Sequence, residues 1–406
     1  MPSPRPDTHP LVVTGIGVAS GLGHGKDAFR AGLFEGRSVF APLARPGRQR
    51  GDGSPPFFGV EMPDPPSILP PRVERTAGLS GRAAVAVLDE AWREAGLDRV
   101  SPERIGLIVG GSNLMAREQL LSLREYAERL DFLPPRHGHV FLDTDICGLC
   151  ASQFPIRGFA HTVGAASASG AAAIVAAVEA VRSGRVDACI ALGALQDVSM
   201  MDLQGFRALG ALGAGPVCRP MDTGHDGFLY GEACAALVIT RPEHSGGTVY
   251  GRVLGTGFCT DGSRGPEPNS DAQVRAAQDA LAAAGLVAAD IDYVNGHATG
   301  TPSGDEAELA TMRRLGLGHA RVNATKSIIG HGLSAAGAVE AAAVLIQMRE
   351  ALLHPTLHLD APLDEAFRWV RGAAQEHRIR HALKFSFGFG GTNVALVFGA
   401  PEGEAT

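Results

Sequence analysis

Two stretches, HTVGAASASGAAAIVAAVEAV at 161–181 and HGLSAAGAVEAAAVLIQMREAL at 331–352, are small or apolar along nearly their whole length. A helix on a protein surface carries an apolar stripe and an opposite polar face. These two helices lack such a face, so each has to lie between layers. The strands around them repeat as well. LVVTGIGVAS, RIGLIVGGS, VDACIALGA (186–194) and GEACAALVITRP (231–242) read as buried strands, with the helix AAVAVLDEAWREAG (83–96) among them. From about Gly246 the pattern starts again: the strand TVYGRVLGTGF, the helix DAQVRAAQDALAAAG (271–285), the strand IDYVNGHATG, and a closing pair of strands in ALKFSFGFGGTNVALVFG. Strands alternating with helices predict an α/β fold with parallel sheets covered on both faces. No Pro/Ser linker separates residues 1–245 from 246–406, so the two similar βαβ-type halves are read as one intertwined unit.

Length and composition bound the function. The 406 residues suffice for a large core, and 45% hydrophobic against 19% charged residues describes a globular chain. A net charge of −7 argues against nucleic acid as a partner. The Arg-rich LARPGRQRGDG (43–53) reads as a solvated loop, within a Pro- and Gly-dense segment, 41–71, expected to be a mobile insertion. No apolar run reaches the ~18 residues of a membrane span, and MPSPRPDTHP lacks the pattern of a signal peptide. A cytoplasmic enzyme is the expectation. The six cysteines are scattered, as in a reducing compartment. Cys147 and Cys150 form a C-x-x-C without a second ligand pair, so they are read as structural, with no metal and no cofactor expected.

Three stretches of the second half carry chemistry-bearing residues. NGHATGTPSGDEAE sets His297 just past a strand. NATKSIIGHGLSAAG places Lys326 five residues before His331, at the mouth of an apolar helix. FSFGFGGTN is a Gly-rich turn whose amides can approach a ligand closely. Taken singly, each has a bland reading as a structural histidine or an ordinary turn. Together with Ser167, each falls at a strand–loop–helix junction, where open α/β sheets place ligands.

In this order the stretches resemble the β-ketoacyl-ACP synthases, the condensing enzymes of fatty-acid and polyketide synthesis. VVTGIGVASGLG is similar to that family's opening strand and loop, and MDTGHDGFLYGEACAALVI to its D-x-x-x-D-G-F-x-x-G-E block. NGHATGTPSGDEAE, TKSIIGHGLSAAGAVE and FSFGFGGTN match its three C-terminal motifs. The resemblance implies a thiolase fold, five layers in the order αβαβα, usually as a homodimer. It implies that His297 and His331 are the active-site histidines, that Lys326 organises the second of them, His331, and that Glu340 is the charged partner of Lys326. Glu308 matches a further acidic position, and Phe389 a gatekeeping aromatic whose amide is half of an oxyanion hole. Thr299, Thr301 and Asn393, in the same motifs, are the supporting polar residues.

One departure decides the functional reading. The family pattern T-A-C-x-S-G supplies a nucleophilic Cys, whereas this chain reads AASASG at 165–170 with Ser167 in that position. A helix N-terminus can lower a thiol pKa from about 8.5 into the working range, but an alcohol needs a general base in contact. Ser167 is therefore expected to be a poor nucleophile, or merely a helix cap. What survives is decarboxylation of a malonyl-thioester, its enolate oxygen held by the two histidines. This combination resembles the stand-alone decarboxylating ketosynthases of polyketide β-branching cassettes. That likeness implies malonyl-ACP as substrate, carried on the phosphopantetheine arm of an acyl carrier protein, and a hydroxymethylglutaryl-synthase-like enzyme as consumer of the acetyl-ACP. The alternatives are a Ser-dependent acyltransferase with His297 as base, a slow condensing synthase, and a non-catalytic chain-length-factor-like partner subunit. Arg72, Arg75 and Arg207 are the residues expected to steer the acidic carrier protein.

Overall fold

The computed structural model describes residues 11–245 and 247–401. The Pro-rich lead-in and residue 246, where the second half is expected to begin, lie outside the described residues. Eleven strands form one path: β1 (Leu11–Ser20), β2 (Ile105–Gly110), β3 (Phe159–Val163), β4 (Ala188–Gly193), β5 (Ala233–Thr240), β6 (Gly251–Thr260), β7 (Tyr293–Asn295), β8 (Arg321–Asn323), β9 (Arg368–Trp369), β10 (His381–Gly388) and β11 (Thr392–Gly399). Their spatial order is β9-β8-β7-β10-β11-β6-β1-β5-β4-β2-β3. Reading outward from the centre, β1-β5-β4-β2-β3 repeats the plan of β6-β11-β10-β7-β8. In each array the first two pairings are antiparallel and the next two parallel. The two arrays meet edge to edge at β1 and β6, where Leu11–Val13 pair with Gly251–Val253.

The sheets are thus mixed, not parallel as the alternation of elements suggests. The strand pair β10–β11 shows why: only three residues join the two, enough for a hairpin but far short of a crossover connection.

Five helices complete the description: α1 (Leu79–Ala95), α2 (Ser169–Arg182), α3 (Ser270–Ala284), α4 (Pro302–Leu315) and α5 (Ala336–Glu350). Both faces of the central strands are apolar, and each face has its own helix. On β5, Ala233, Ala235, Leu237 and Ile239 join the core around α2 and α5, while Cys234, Ala236 and Val238 pack with α1. On β11, Val394, Leu396 and Phe398 face the same two central helices, and Ala395 and Val397 face α3. The result is helix, sheet, paired helices, sheet, helix, the five-layered thiolase fold. The small residues of α2 and α5 are explained by this pairing. A Cβ on Gly170 would stand 2.6 Å from the Ala338 nitrogen, and one on Gly337 would stand 2.4 Å from the Ala171 nitrogen. Among the described residues, no helix is long and apolar enough to cross a membrane.

The Arg-rich loop is solvated only in part: Arg50 and Asp52 are exposed, but the centre of the loop is anchored in the protein. Arg48 is fully buried, its guanidinium 2.7 Å from Asp197, 2.6 Å from Glu232 and 2.8 Å from Glu61. Arg45 adds a 2.8 Å pair to Glu232, and Arg117 one of 2.7 Å to Asp197. Three carboxylates make burial of the cation tolerable, and they pin the segment that the sequence reads as a mobile insertion. Cys147 and Cys150 are free thiols in the core beside α1, and burial pushes both thiol pKa values up.

Candidate active site

Ser167 sits in the single turn Ala166–Ala168 that leads from β3 into α2. Its hydroxyl does not cap the helix. Ser169 closes the turn instead, accepting from the Ala165 N–H (2.8 Å) and donating to the Ala166 carbonyl (2.7 Å). Ala166 is held at φ +46°, a conformation that costs a non-glycine residue energy and persists only when its surroundings enforce it. From the other array, Gly388 presses on this turn: a Cβ there would lie 2.5 Å from the Ala165 carbonyl oxygen. The Gly-rich motif and the serine turn are therefore in direct contact. The Ser167 hydroxyl is 3.0 Å from Nε2 of His331.

The geometry assigns the protons of both histidines. The Leu333 N–H donates to Nδ1 of His331 at 3.3 Å, so Nδ1 is an acceptor and the neutral ring carries its proton on Nε2. The hydrogen bond to Ser167 then runs from imidazole to hydroxyl. Lys326 organises the first histidine, not the second as expected: an ammonium can only donate, so its Nζ, 3.2 Å from Nδ1 of His297, fixes the same tautomer there. Burial is the main cause that holds both imidazoles well below their ordinary pKa, and the Lys326 charge adds to it. Near neutral pH the site presents two neutral rings, each with one Nε2–H. The rings meet edge to face with centroids 5.5 Å apart.

Each histidine is braced from behind. Glu308, on α4, accepts the N–H of His297 and of Ala298, both at 2.7 Å, and holds Ala298 at φ +38°. Burial pushes the Glu308 pKa up to about 7. Lys326 also donates to the His297 carbonyl and to Glu340, its buried ion-pair partner on α5. His331 is gripped through its backbone, its N–H on the Leu229 carbonyl (2.7 Å) and its carbonyl on the Gly231 N–H (3.0 Å). The GFLYGE block is thus the frame of this histidine.

Ser167, His297 and His331 line one cavity of about 570 Å³, together with Thr299, Thr301, Glu308, Phe389 and Asn393. Thr299 and Thr301 share a 2.8 Å hydrogen bond between their hydroxyls. Phe389 is 40% exposed at the rim. The Asn393 amide is turned back to the Gly391 carbonyl at 2.9 Å and shapes the Gly-rich turn. Lys326 and Glu340 stand behind the lining. None of Arg72, Arg75 and Arg207 lines the cavity. Arg207 lies over the Phe57 ring at 4.1 Å and donates to the carbonyls of Pro55 and Pro56.

Sequence reasoning missed two rings and a lysine. Phe228 meets His331 edge-on at 5.1 Å, and Phe387 meets His297 at 5.6 Å. Lys384, on β10, is fully buried with its Nζ 2.8 Å from Glu340 Oε2. A lysine inside the apolar run ALKFSF was the available signal.

Comparison with known proteins finds relatives along nearly the whole chain. Residues 8–245 match the β-ketoacyl synthase N-terminal domain, and residues 250–360 match the β-ketoacyl synthase C-terminal domain. The chain is 46% identical to the polyketide biosynthesis malonyl-ACP decarboxylase PksF of Bacillus subtilis (strain 168), over 95% of each chain. It is 33% identical to 3-oxoacyl-[acyl-carrier-protein] synthase 2 of Rhizobium meliloti (strain 1021), over 95% of this chain and 98% of that one. Among solved structures, the ishigamide ketosynthase/chain length factor superposes with a TM-score of 0.89 at 27% identity, over 97% of this chain and all of that one.

Proposed function

The chain belongs to the β-ketoacyl synthase family, and from that premise we propose that it decarboxylates malonyl-ACP to acetyl-ACP. The observation that carries the reading is the direction of one hydrogen bond. His331 gives its Nε2 proton to Ser167 and so cannot take the Ser167 proton. A serine without a base does not form an acyl-enzyme at a useful rate. The relative named a malonyl-ACP decarboxylase, at 46% identity, supports the same reading.

The reaction needs no nucleophile. The malonyl thioester, on the phosphopantetheine arm of its carrier, places its carbonyl oxygen against the Nε2–H groups of His297 and His331. The bond between the carboxylate carbon and the α-carbon breaks, CO₂ leaves, and the electron pair moves into an enolate whose charge rests on that oxygen. Water then protonates the α-carbon and acetyl-ACP is released. Donors aimed at the oxygen stabilise the transition state more than the ground state, because the charge arrives there only as the bond breaks. The acyl carrier protein as partner, a homodimer, a cytoplasmic setting and a hydroxymethylglutaryl-synthase-like consumer of the product belong to this proposal.

Mixing malonyl-loaded carrier protein with catalytic enzyme and weighing both intact tests it. The carrier should lose the mass of CO₂ while the enzyme's mass stays unchanged. An acyl adduct that persists on Ser167 would favour the acyltransferase reading and overturn this one.

A further inference from the structure

We infer that Lys384 is a positioning residue for this reaction: by sharing Glu340 with Lys326 it leaves a net positive charge behind the two histidines. The inference rests on the decarboxylase reading above. Lys384 lies on the face of β10 turned toward the central helices, with no solvent exposure. Its Nζ donates to the Phe385 carbonyl (2.7 Å) and to the Ser386 hydroxyl, and stands 2.8 Å from Glu340 Oε2. Among the described residues that carboxylate oxygen has no well-directed hydrogen bond, so its partner there is the Lys384 charge itself. The other oxygen, Oε1, takes Lys326.

Two ammoniums therefore share one carboxylate. Were Lys326 the only partner of Glu340, the pair would be neutral and its effect on His297 would largely cancel. With Lys384 protonated the cluster carries +1; burial lowers the Lys384 pKa, and the Glu340 charge 2.8 Å away opposes that fall. The charged or titratable groups facing it are Lys326, Glu340 on α5, Glu308 on α4, the two imidazoles, and the buried His354 and Tyr293 on the far side of Glu340. Glu308, pushed up to about 7, adds its negative charge only as the pH passes neutrality. A buried ion pair is weak evidence for stability, since apolar replacements are often as stable. A second buried cation makes more sense as electrostatics. During decarboxylation the substrate's charge moves from its carboxylate onto the oxygen held by the histidines, and an uncompensated cation behind them favours that movement in a low-dielectric site. It also disfavours imidazolium, keeping Nδ1 free to accept and Nε2–H free to donate.

The test uses Lys384→Met and Lys384→Gln, with Lys384→Met/Glu340→Gln as the charge-restoring control, since that double variant leaves Lys326 as a lone +1. Each is compared with wild type for CO₂ release from malonyl-ACP and for folding by circular dichroism. The ring ¹³C resonances of His297 and His331, assigned with the His→Ala variants, are titrated in parallel. The single variants should lose ~10- to 100-fold in kcat, about tenfold less than removal of a donor that touches the oxygen, with little change in KM. Both histidine titrations should move to higher pH, and the double variant should recover kcat and titration together. Wild-type kcat and titrations in a folded single variant would overturn the assignment. So would a double variant no better than the single, or collapse of both single variants, which would make Lys384 a purely structural partner. A wild type that releases no CO₂ would sink the decarboxylase reading instead, and the histidine titrations would still report on Lys384.

Discussion

His331 faces Ser167 as a donor: its Nε2 lies 3.0 Å from the hydroxyl oxygen, while its Nδ1 is already occupied by the Leu333 N–H. The hydroxyl is thus a resident acceptor on a group that must serve the substrate oxygen during turnover. Ser167→Ala should keep decarboxylation within a few-fold of wild type, because it removes only a competitor for that donor. Steady-state CO₂ release from malonyl-ACP measures this. A loss of a thousandfold would mean that the serine is a nucleophile after all.

His297→Ala and His331→Ala should each cost on the order of 10²–10³ in kcat with the fold retained. The pH profile carries a sign. Both imidazoles are held below their ordinary pKa and act in the neutral form. Neither ring should therefore put an acid limb on the profile near pH 6.5; protonation of the imidazoles should cost rate only in stronger acid. An acid limb centred at the pKa of a free histidine would show that the rings are not shielded as the structure indicates.

Arg48→Ala should destabilise the fold by about 3 kcal/mol, the low end for a broken buried pair, since Asp197 and Glu232 lose the cation they share but keep Arg117 and Arg45. Denaturant unfolding measures the loss. A change under 1 kcal/mol would mean that water compensates those carboxylates.

Arg48 also marks the limit of what was legible beforehand. The layered α/β plan could be read because it rests on local pattern: two helices without a polar face and strands apolar on both sides. Ser167, His297, His331 and Lys326 could be read because their motifs keep fixed spacing along the chain. What was missed depends on contacts between distant segments. Arg48 finds Asp197 149 residues away, and nothing in LARPGRQRGDG announces it. Leu333 acts through its backbone N–H, which every residue but proline has, so its hold on the His331 tautomer has no sequence signature. The mixed sheets were hidden because strand direction follows from connection lengths that apolar patterns do not report.

Glu308 predicts a pH-dependent stability of opposite sign to that of an ordinary salt-bridged carboxylate. Its folded pKa is raised to about 7 from an unfolded value of 4.5. Between these two values the folded chain holds a proton that the unfolded chain has lost, so its contribution to stability falls as the pH rises, by up to about 3 kcal/mol. Glu308→Gln lacks this slope. Its stability deficit relative to wild type should be largest near pH 5 and shrink toward pH 8, read from unfolding free energies at stepped pH. A deficit that grew with pH would place the Glu308 pKa below its ordinary value.

Ser167→Cys should convert the site toward acylation. The substitution changes one atom, and the turn that carries it is fixed by Ser169 and by the packing of Gly388. A thiol at 167 would sit at the entrance of α2, facing the His331 Nε2–H and near the Lys326–Glu340–Lys384 cluster. A helix N-terminus and neighbouring positive charge both favour thiolate. Five of the six native thiols compete poorly: Cys147, Cys150, Cys189, Cys218 and Cys234 are buried, and burial raises the pKa of each, while the half-buried Cys259 is told apart by peptide mapping. Brief iodoacetamide treatment should add one carbamidomethyl group to the variant at position 167 and none there to wild type. An acyl-ACP should likewise transfer its chain to the new thiol, both products read by intact mass and peptide mapping. Release of free acetyl-ACP should fall wherever a captured chain intercepts the enolate. If the thiol stayed unmodified by both reagents, the pocket would differ from a condensing enzyme's by more than its nucleophile, and the donor histidines alone would not account for what this site does.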